Sequence, residues 1–278
     1  MASGGVSPAP EPVNTGDVIM TSHGDTMTTD GEVAKSNGNL IMTNGSINGN
    51  HSTTTSDQIK VCVFMGASPG SSPAHMAAAR SLAQAMANRD IGLVYGGGTV
   101  GLMGELAKTL VSLKGPQAVH GIIPLPLVKY ERSDQSEDAS QNQGIAGVPK
   151  YDTYGRTTVV KDMHTRKQMM TSEVLSGAKG SGFIALSGGY GTMEELMEVV
   201  TWNQLGIHQQ GIVLYNVNGF WDGIISWVKN SVEAGFISEG NGHIIKSATT
   251  AEGALQELLD YEPSAGRFKL EWGNVSQT

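Results

Sequence analysis

Cysteine is nearly absent: Cys62 is the only one in 278 residues. That excludes a disulfide framework and any zinc site built from thiolates. The seven histidines (His23, His51, His75, His120, His164, His208, His243) never fall at HxH or HxxxH spacing, so no metal site is expected. No apolar run is long enough to span a bilayer. The N-terminus has neither the basic patch and apolar core of a signal peptide nor the arginines of a transit peptide. A cytoplasmic protein without a membrane partner is the expectation. Positive charge is scarce too, with 18 Lys and Arg against 26 Asp and Glu and a net charge of -8. Lys35 faces six carboxylates within the first 57 residues, so the remainder is close to neutral. Such a chain offers no basic field for nucleic acid. An anionic small ligand would have to be held by backbone amides and a few placed cations.

What is present divides the chain. Residues 1–57 are rich in Gly, Ser, Thr, Asn and Asp and show no apolar period. Such a stretch buries too little to offset the entropy of ordering it, and it reads as a disordered polar tail. Residues 58–262 are expected to form one domain, and 263–278 a short C-terminal tail. From Ile59 the pattern alternates. Apolar runs at Ile59–Met65, Gly92–Tyr95, Ala118–Ile123, Phe183–Leu186 and Gly211–Tyr215 read as strands. Helical spacing marks Pro73–Asn88, about Leu102–Leu113, Val159–Ser176, Met193–Leu205, Phe220–Ala234 and Ala251–Leu259. Lys129–Tyr154 reads as a long surface loop. Strands that alternate with helices, and that are apolar throughout, predict a Rossmann-like three-layer α/β domain with a central parallel sheet and helices on both faces.

Two glycine turns stand at strand-to-helix junctions: Gly96-Gly97-Gly98-Thr99-Val100-Gly101 and Ser187-Gly188-Gly189-Tyr190-Gly191-Thr192. Glycine lets backbone N–H groups approach a ligand, and a helix N-terminus favours an anion. A single such turn could equally be a tight connection, but two at the carboxyl edge of one sheet point to a ligand site. Neither matches GxxxxGK[ST], which excludes a P-loop ATPase. Neither has the dinucleotide fingerprint with its acidic ribose reader. A mononucleotide fits better than NAD, and no cofactor is expected.

Phe64-Met65-Gly66-Ala67-Ser68, Leu93–Gly104, Met163-His164-Thr165-Arg166-Lys167, Gly188-Gly189-Tyr190-Gly191-Thr192-Met193-Glu194-Glu195 and Val199–His208 occur in that order. The set resembles the LOG (Lonely guy) family of cytokinin riboside 5′-monophosphate phosphoribohydrolases, often mislabelled lysine decarboxylases. The likeness runs from about Ile59 to Tyr261. It implies hydrolysis of the N-glycosidic bond of a nucleoside 5′-monophosphate and assembly as a homodimer. By this resemblance Arg166 and Glu195 are the catalytic pair. Ser68, Gly97, Glu131, Lys167, Gly188, Gly189, Tyr190, Gly191, Thr192, Met193, Glu194 and Thr201 would line the substrate site. Ser187 replaces the family's proline, Met65 and Ala67 replace Cys and Ser, Gly177–Gly182 is a short insertion, and the loop from Arg132 to Pro149 is expanded.

The chemistry is consistent with that assignment. Cleavage at C1′ passes through a cationic sugar, which needs a held phosphate and a nearby carboxylate. Plainer roles remain open for the same residues. Arg166 could pair with Glu173 or Asp162 along its own helix. Glu194, Glu195 and Glu198 could be ordinary first-turn carboxylates. A non-catalytic nucleotide carrier on the same fold is the rival reading. A pyridoxal-phosphate decarboxylase would need Lys167 as its Schiff base.

Overall fold

The computed structural model describes residues 34–36, 39–44, 57–128, 147–270 and 272, the first two segments by backbone alone. In chain order the strands are β1 (Ala34–Ser36), β2 (Asn39–Asn44), β3 (Lys60–Phe64), β4 (Gly92–Tyr95), β5 (Val119–Pro124), β6 (Arg156–Val160), β7 (Gly182–Ala185), β8 (Gly211–Tyr215) and β9 (Ile245–Ala248). The helices are α1 (Pro73–Asn88), α2 (Gly101–Lys114), α3 (Tyr151–Tyr154), α4 (Met163–Leu175), α5 (Tyr190–Gln204), α6 (Asp222–Glu233) and α7 (Ala251–Leu259).

All nine strands share one sheet, ordered β1-β2-β6-β5-β4-β3-β7-β8-β9. The seven from β6 to β9 run parallel, and β2 joins the β6 edge antiparallel. Along β3 the side chains alternate between two cores. Val61 and Val63 pack with Leu82, Leu106 and Leu255 of α1, α2 and α7. Cys62 and Phe64 pack with Met170 and Val174 of α4 and Leu196 and Val199 of α5. The three layers expected from the sequence are therefore present.

The chain moves outward from β3 to β4, β5 and β6, then returns to β7 on the other side of β3. That reversal opens a crevice at the carboxyl ends of β3 and β7, where open α/β sheets hold ligands. Both glycine turns lie at this edge. Gly101, with φ +57, has no room for a Cβ because the backbone of Ala67 and Ser68 crosses it. The turn after β3 thus rests directly on the turn after β4.

Several elements differ from the sequence expectation. Asn39–Asn44 and Ala34–Ser36 form strands within the stretch expected to be disordered. The outer edge of β6 would otherwise leave a row of peptide groups unpaired, and β2 pairs with it from Met42 opposite Val159 to Asn44 opposite Thr157. The helix expected from Val159 starts only at Met163, because Val159 and Val160 finish β6. Asp162 caps α4 by accepting the Thr165 N–H at 2.7 Å. The short α3 and the edge strand β9 were not expected. Residues 263–270 return along the end of α5: Arg267 donates to the carbonyls of Asn203 and His208, both at 2.7 Å.

Beneath α4 lies a polar network at the amino edge of the sheet. His120 Nδ1 is 2.5 Å from Glu173 Oε2, and its Nε2 is 2.8 Å from Thr158 Oγ1. Arg156 donates to Glu173 Oε1 at 3.1 Å, and Lys60 stands 3.9 Å from the same oxygen. Burial holds the His120 pKa below its ordinary 6.5 despite Glu173. Glu173 is buried too, yet its bond to His120 and the nearby cations hold it below 4.5.

Both shifts make acid destabilising. His120 is neutral in the fold but takes a proton in the unfolded chain near pH 6.5, so stability falls as pH drops from there towards its lower folded pKa. Glu173 contributes stability above pH 4.5 that is lost as pH falls through its depressed folded value. Urea unfolding of His120→Gln should therefore show a shallower loss between about pH 7 and 5, by up to ~1 kcal/mol per pH unit relative to the parent. Parallel pH curves for the two proteins would contradict this account.

Candidate functional site

The helix N-termini divide by their caps, and α2, α3 and α6 have none from a side chain. Ser72, Asp162 and Thr250 cap α1, α4 and α7 with side-chain oxygens. Helix α5 begins at Gly189 with no side-chain cap. Its first intrahelical bond runs from the Met193 N–H to the Gly189 carbonyl at 3.0 Å. The N–H groups of Tyr190, Gly191 and Thr192 therefore have no acceptor in their own helix.

The glycines of this turn fall into two kinds. Gly188 has no space for a Cβ because Thr192 Oγ1 lies there, which folds the turn tightly onto the helix. Gly189 and Gly191 would meet nothing within 4 Å if given a Cβ, and neither needs a positive φ. Tyr190 between them is 98 % exposed. A surface of bare amides, open on its outer side, suits the oxygens of a phosphate.

Next to this turn a buried ion pair joins two helices. Arg166 of α4 and Glu195 of α5 are 6 % and 7 % exposed, with Nη2 3.2 Å from Oε1. Arg166 Nε is buried without a hydrogen-bond partner, and Nη1 reaches only the Met163 sulfur at 3.7 Å. A Cβ on Gly96 would overlap the Arg166 guanidinium, so this turn is glycine to admit the arginine. Arg166 thus pairs with neither Glu173 nor Asp162, and Glu195 is more than a first-turn carboxylate.

Lys167 points to a different partner set. Its Nζ lies 2.5 Å from Glu194 Oε1 and 2.6 Å from Glu198 Oε2. Burial would lower its pKa, but the hydrogen bonds to both glutamates raise it above 10.5. The lysine is therefore matched by two carboxylates and brings no surplus positive charge. A small pocket joins the two pairs, lined by Phe64, Lys167, Met170, Thr171, Glu195, Glu198 and Val199. Glu198 was legible only as a helix carboxylate; its i, i+4 relation to Glu194 was the available signal. Gly96 and Met163 gave no signal of contact with Arg166.

The remaining expected residues are more scattered. Thr201 is exposed and donates to its own helix at Met197 O, 2.8 Å away, on the face shared by Glu194 and Glu198. Met193 is half-buried against the core under α4 and α5. Gly97 is buried with φ +76 against Ile123, which gives it a packing reason. Ser68 is exposed on the turn over Gly101. Glu131 lies outside the described residues.

Other titratable groups near the site have structural duties. Burial pushes the Cys62 thiol well above its ordinary range, which removes it as a nucleophile. Burial lowers His208 to about 4, and it ties the end of α5 to the next loop through Val199 O. An open cleft of about 580 Å³ beyond β8, lined by Ala78, Tyr215, Asn216 and Asp222 among others, is larger than the pocket at Glu195. Its Asn216 and Asp222 are bonded to each other at 2.7 Å, and the buried charge pair is elsewhere.

Comparison with known proteins fits this geometry. Residues 84–258 match the family model described as "Possible lysine decarboxylase". The cytokinin riboside 5′-monophosphate phosphoribohydrolase LOG2 of Arabidopsis thaliana is 39 % identical over 219 residues, 78 % of this chain and 91 % of that protein. The chain belongs to the LOG family. A second LOG relative, the probable phosphoribohydrolase LOGL3 of Oryza sativa subsp. japonica, is 39 % identical over 77 % of this chain and 90 % of its own. The bifunctional cytokinin biosynthesis protein of Fusarium pseudograminearum is 52 % identical over 213 residues. This chain accounts for 76 % of itself but only 42 % of the Fusarium protein in that match.

Two glycine substitutions separate fold from site. Gly96→Ala should displace Arg166 and lower kcat by about 10²-fold, since misplacing a reacting group by an ångström has that effect. Gly191→Ala enters open space and improves helix propensity, so thermal unfolding should show equal or greater stability, by up to ~1 kcal/mol. Its KM for a nucleotide should nevertheless rise about tenfold or more, because the methyl group faces the phosphate. An unchanged KM would remove the phosphate from this turn.

Proposed function

We propose that this LOG-family chain hydrolyses the N-glycosidic bond of N6-modified adenosine 5′-monophosphates, giving the free base, a cytokinin, and ribose 5-phosphate. The observation that carries the reading is the buried Arg166–Glu195 pair beside an uncapped, glycine-lined helix N-terminus. Its relatives' activity as phosphoribohydrolases supports it.

In this reading the amides of Gly188 to Thr192 and the Thr192 hydroxyl hold the 5′-phosphate. Glu195 as a carboxylate faces C1′, where positive charge develops as the bond to the base lengthens. Water adds to C1′ and loses its proton, the C1′–N bond breaks, and the base departs carrying a proton. Arg166 holds Glu195 in place through their ion pair.

Decarboxylation of lysine through pyridoxal phosphate is disfavoured by the same geometry. A Schiff-base lysine needs a free electron pair, whereas Lys167 is kept protonated between Glu194 and Glu198. A homodimer is part of the proposal: Met163 beside the site is 40 % exposed, and Met197 and Val200 of α5 are half-buried. Cytoplasmic residence is proposed with it; among the described residues no helix is long and apolar enough to cross a membrane.

Incubation with AMP, GMP, CMP and isopentenyl-AMP side by side, followed by chromatography, tests the reaction. Free base and ribose 5-phosphate should form without added cofactor, fastest from the prenylated substrate. Glu195→Gln should lower kcat by roughly 10²–10⁴-fold while nucleotide binding stays measurable. Tight binding with no turnover by the parent protein would favour a nucleotide carrier instead.

A further inference from the structure

His75, in the first turn of α1, lies where three loops of the ligand edge meet. Its Nδ1 is 2.9 Å from the hydroxyl of Ser187, the residue that leads into Gly188. Its Cδ2 faces Gly70 so closely that a Cβ there would stand 3.1 Å away, and Gly70 holds φ +73. On a third side the ring of Phe220 packs edge-on, with centroids 5.9 Å apart and planes at 77°. One imidazole therefore touches the turn after β3, the turn after β7 and the loop after β8.

Ser187 is fixed from two directions. It is 6 % exposed, and its carbonyl accepts the Gly66 N–H at 3.0 Å. The side-chain bond to His75 supplies the second tie. A hydroxyl can donate to a neutral Nδ1 or accept from a protonated one, so the tie survives either charge state of the ring. A proline at position 187 would restrain the backbone through its ring and need no partner, whereas Ser187 relies on its bond to His75.

We propose that His75 is a positioning residue that holds the phosphate turn through Ser187, replacing by a side-chain hydrogen bond the stiffness a proline would give. The proposal rests on the phosphate reading of the Gly188–Thr192 turn. It adds that the spacing between this turn and the Gly66–Gly70 turn is set by the imidazole between them. Loss of the bond loosens the turn before a ligand arrives, and the ligand must then bear the cost of ordering it.

Four variants decide the matter: His75→Ala, Ser187→Ala, the two combined, and His75→Ala with Ser187→Pro. Calorimetric titration with ribose 5-phosphate and steady-state release of base are measured for each, with thermal unfolding alongside. Each single alanine variant should weaken ribose 5-phosphate binding and raise KM about three- to tenfold, the range for one neutral hydrogen bond, with a smaller fall in kcat. The double alanine variant should bind no more weakly than the weaker single one. Proline at 187 should bring the His75→Ala protein back to within about twofold of the parent.

Multiplying effects in the double variant, parental affinity in Ser187→Ala, or failure of proline to restore binding would each overturn the proposal. If His75→Ala does not fold, Ser187→Ala and Ser187→Pro carry the test: the first should bind more weakly and the second as the parent does. Parent protein that binds ribose 5-phosphate without releasing base would sink the hydrolase reading and leave His75 to be judged by affinity. Parent protein that does not bind ribose 5-phosphate would sink both.

Discussion

A guanidinium at 6 % exposure, facing a carboxylate at 7 %, is the constraint around which the ligand edge is arranged. Taking two such charges out of water costs several kcal/mol per ion, and the attraction between them offsets this only where geometry is good. An apolar pair of similar volume would stabilise the fold at least as well. The charged pair instead occupies the carboxyl edge of a parallel sheet, beside the switch between β3 and β7, and leaves Arg166 Nε without a partner. Buried charges gathered at a cleft mark a functional site more often than a device for stability.

The placement of that arginine depends on α4 as a whole. Its sheet-facing stripe includes Arg166, Met170, Glu173 and Val174, with one charge near each end of the helix and apolar packing from Met170 and Val174. Glu173 is held at the amino edge of the sheet by His120 and Arg156, while Arg166 meets Glu195 at the carboxyl edge. The helix is thus pinned at both ends by bonds that specify direction and distance, where apolar packing alone would tolerate a slide. A reacting centre needs that specificity, because small displacements cost large factors in rate. In the proposed reaction the backbone amides and the ion pair would divide the work, the first meeting negative charge and the second the sugar. Lys167, satisfied by Glu194 and Glu198, joins neither task through net charge.

The layers, the parallel sheet and both glycine turns could be read from the sequence because each leaves a local pattern. Apolar runs of four or five residues followed by glycine survive in any context. Strand β6 could not be read, since Thr157 and Thr158 are buried polar residues, the second bonded to His120, and the run Val159-Val160 alone resembles a helix start. Edge strand β9 carries Ile245-Lys246-Ser247-Ala248, half-exposed and without an apolar run. At the site, motif resemblance brought Arg166 and Glu195 together, and the structure pairs them. The same resemblance implied that Lys167 and Glu194 each contact substrate, and only the fold reveals that they hold each other. Thr201 falls on the outer face of α5, where the described residues of one chain offer it no partner beyond its own helix.

The glycines make the limit of sequence reading plain. Gly96, Gly188, Gly189 and Gly191 look alike in a string of letters, yet they are glycine for three different reasons. Gly96 clears the way for an arginine, Gly188 for the Thr192 hydroxyl, and Gly189 and Gly191 for nothing in the protein. Gly189 is the N-cap of α5, where glycine is well tolerated, whereas Gly191 lowers helix propensity, adopts ordinary backbone angles and faces open space, as Gly223 of α6 also does. Open space alone therefore marks no site; what sets Gly191 apart is its place beside the buried charge pair. Under the proposed function phosphate oxygens, which draw backbone N–H groups to hydrogen-bond distance, would approach the main chain there so closely that even a methyl group would intrude.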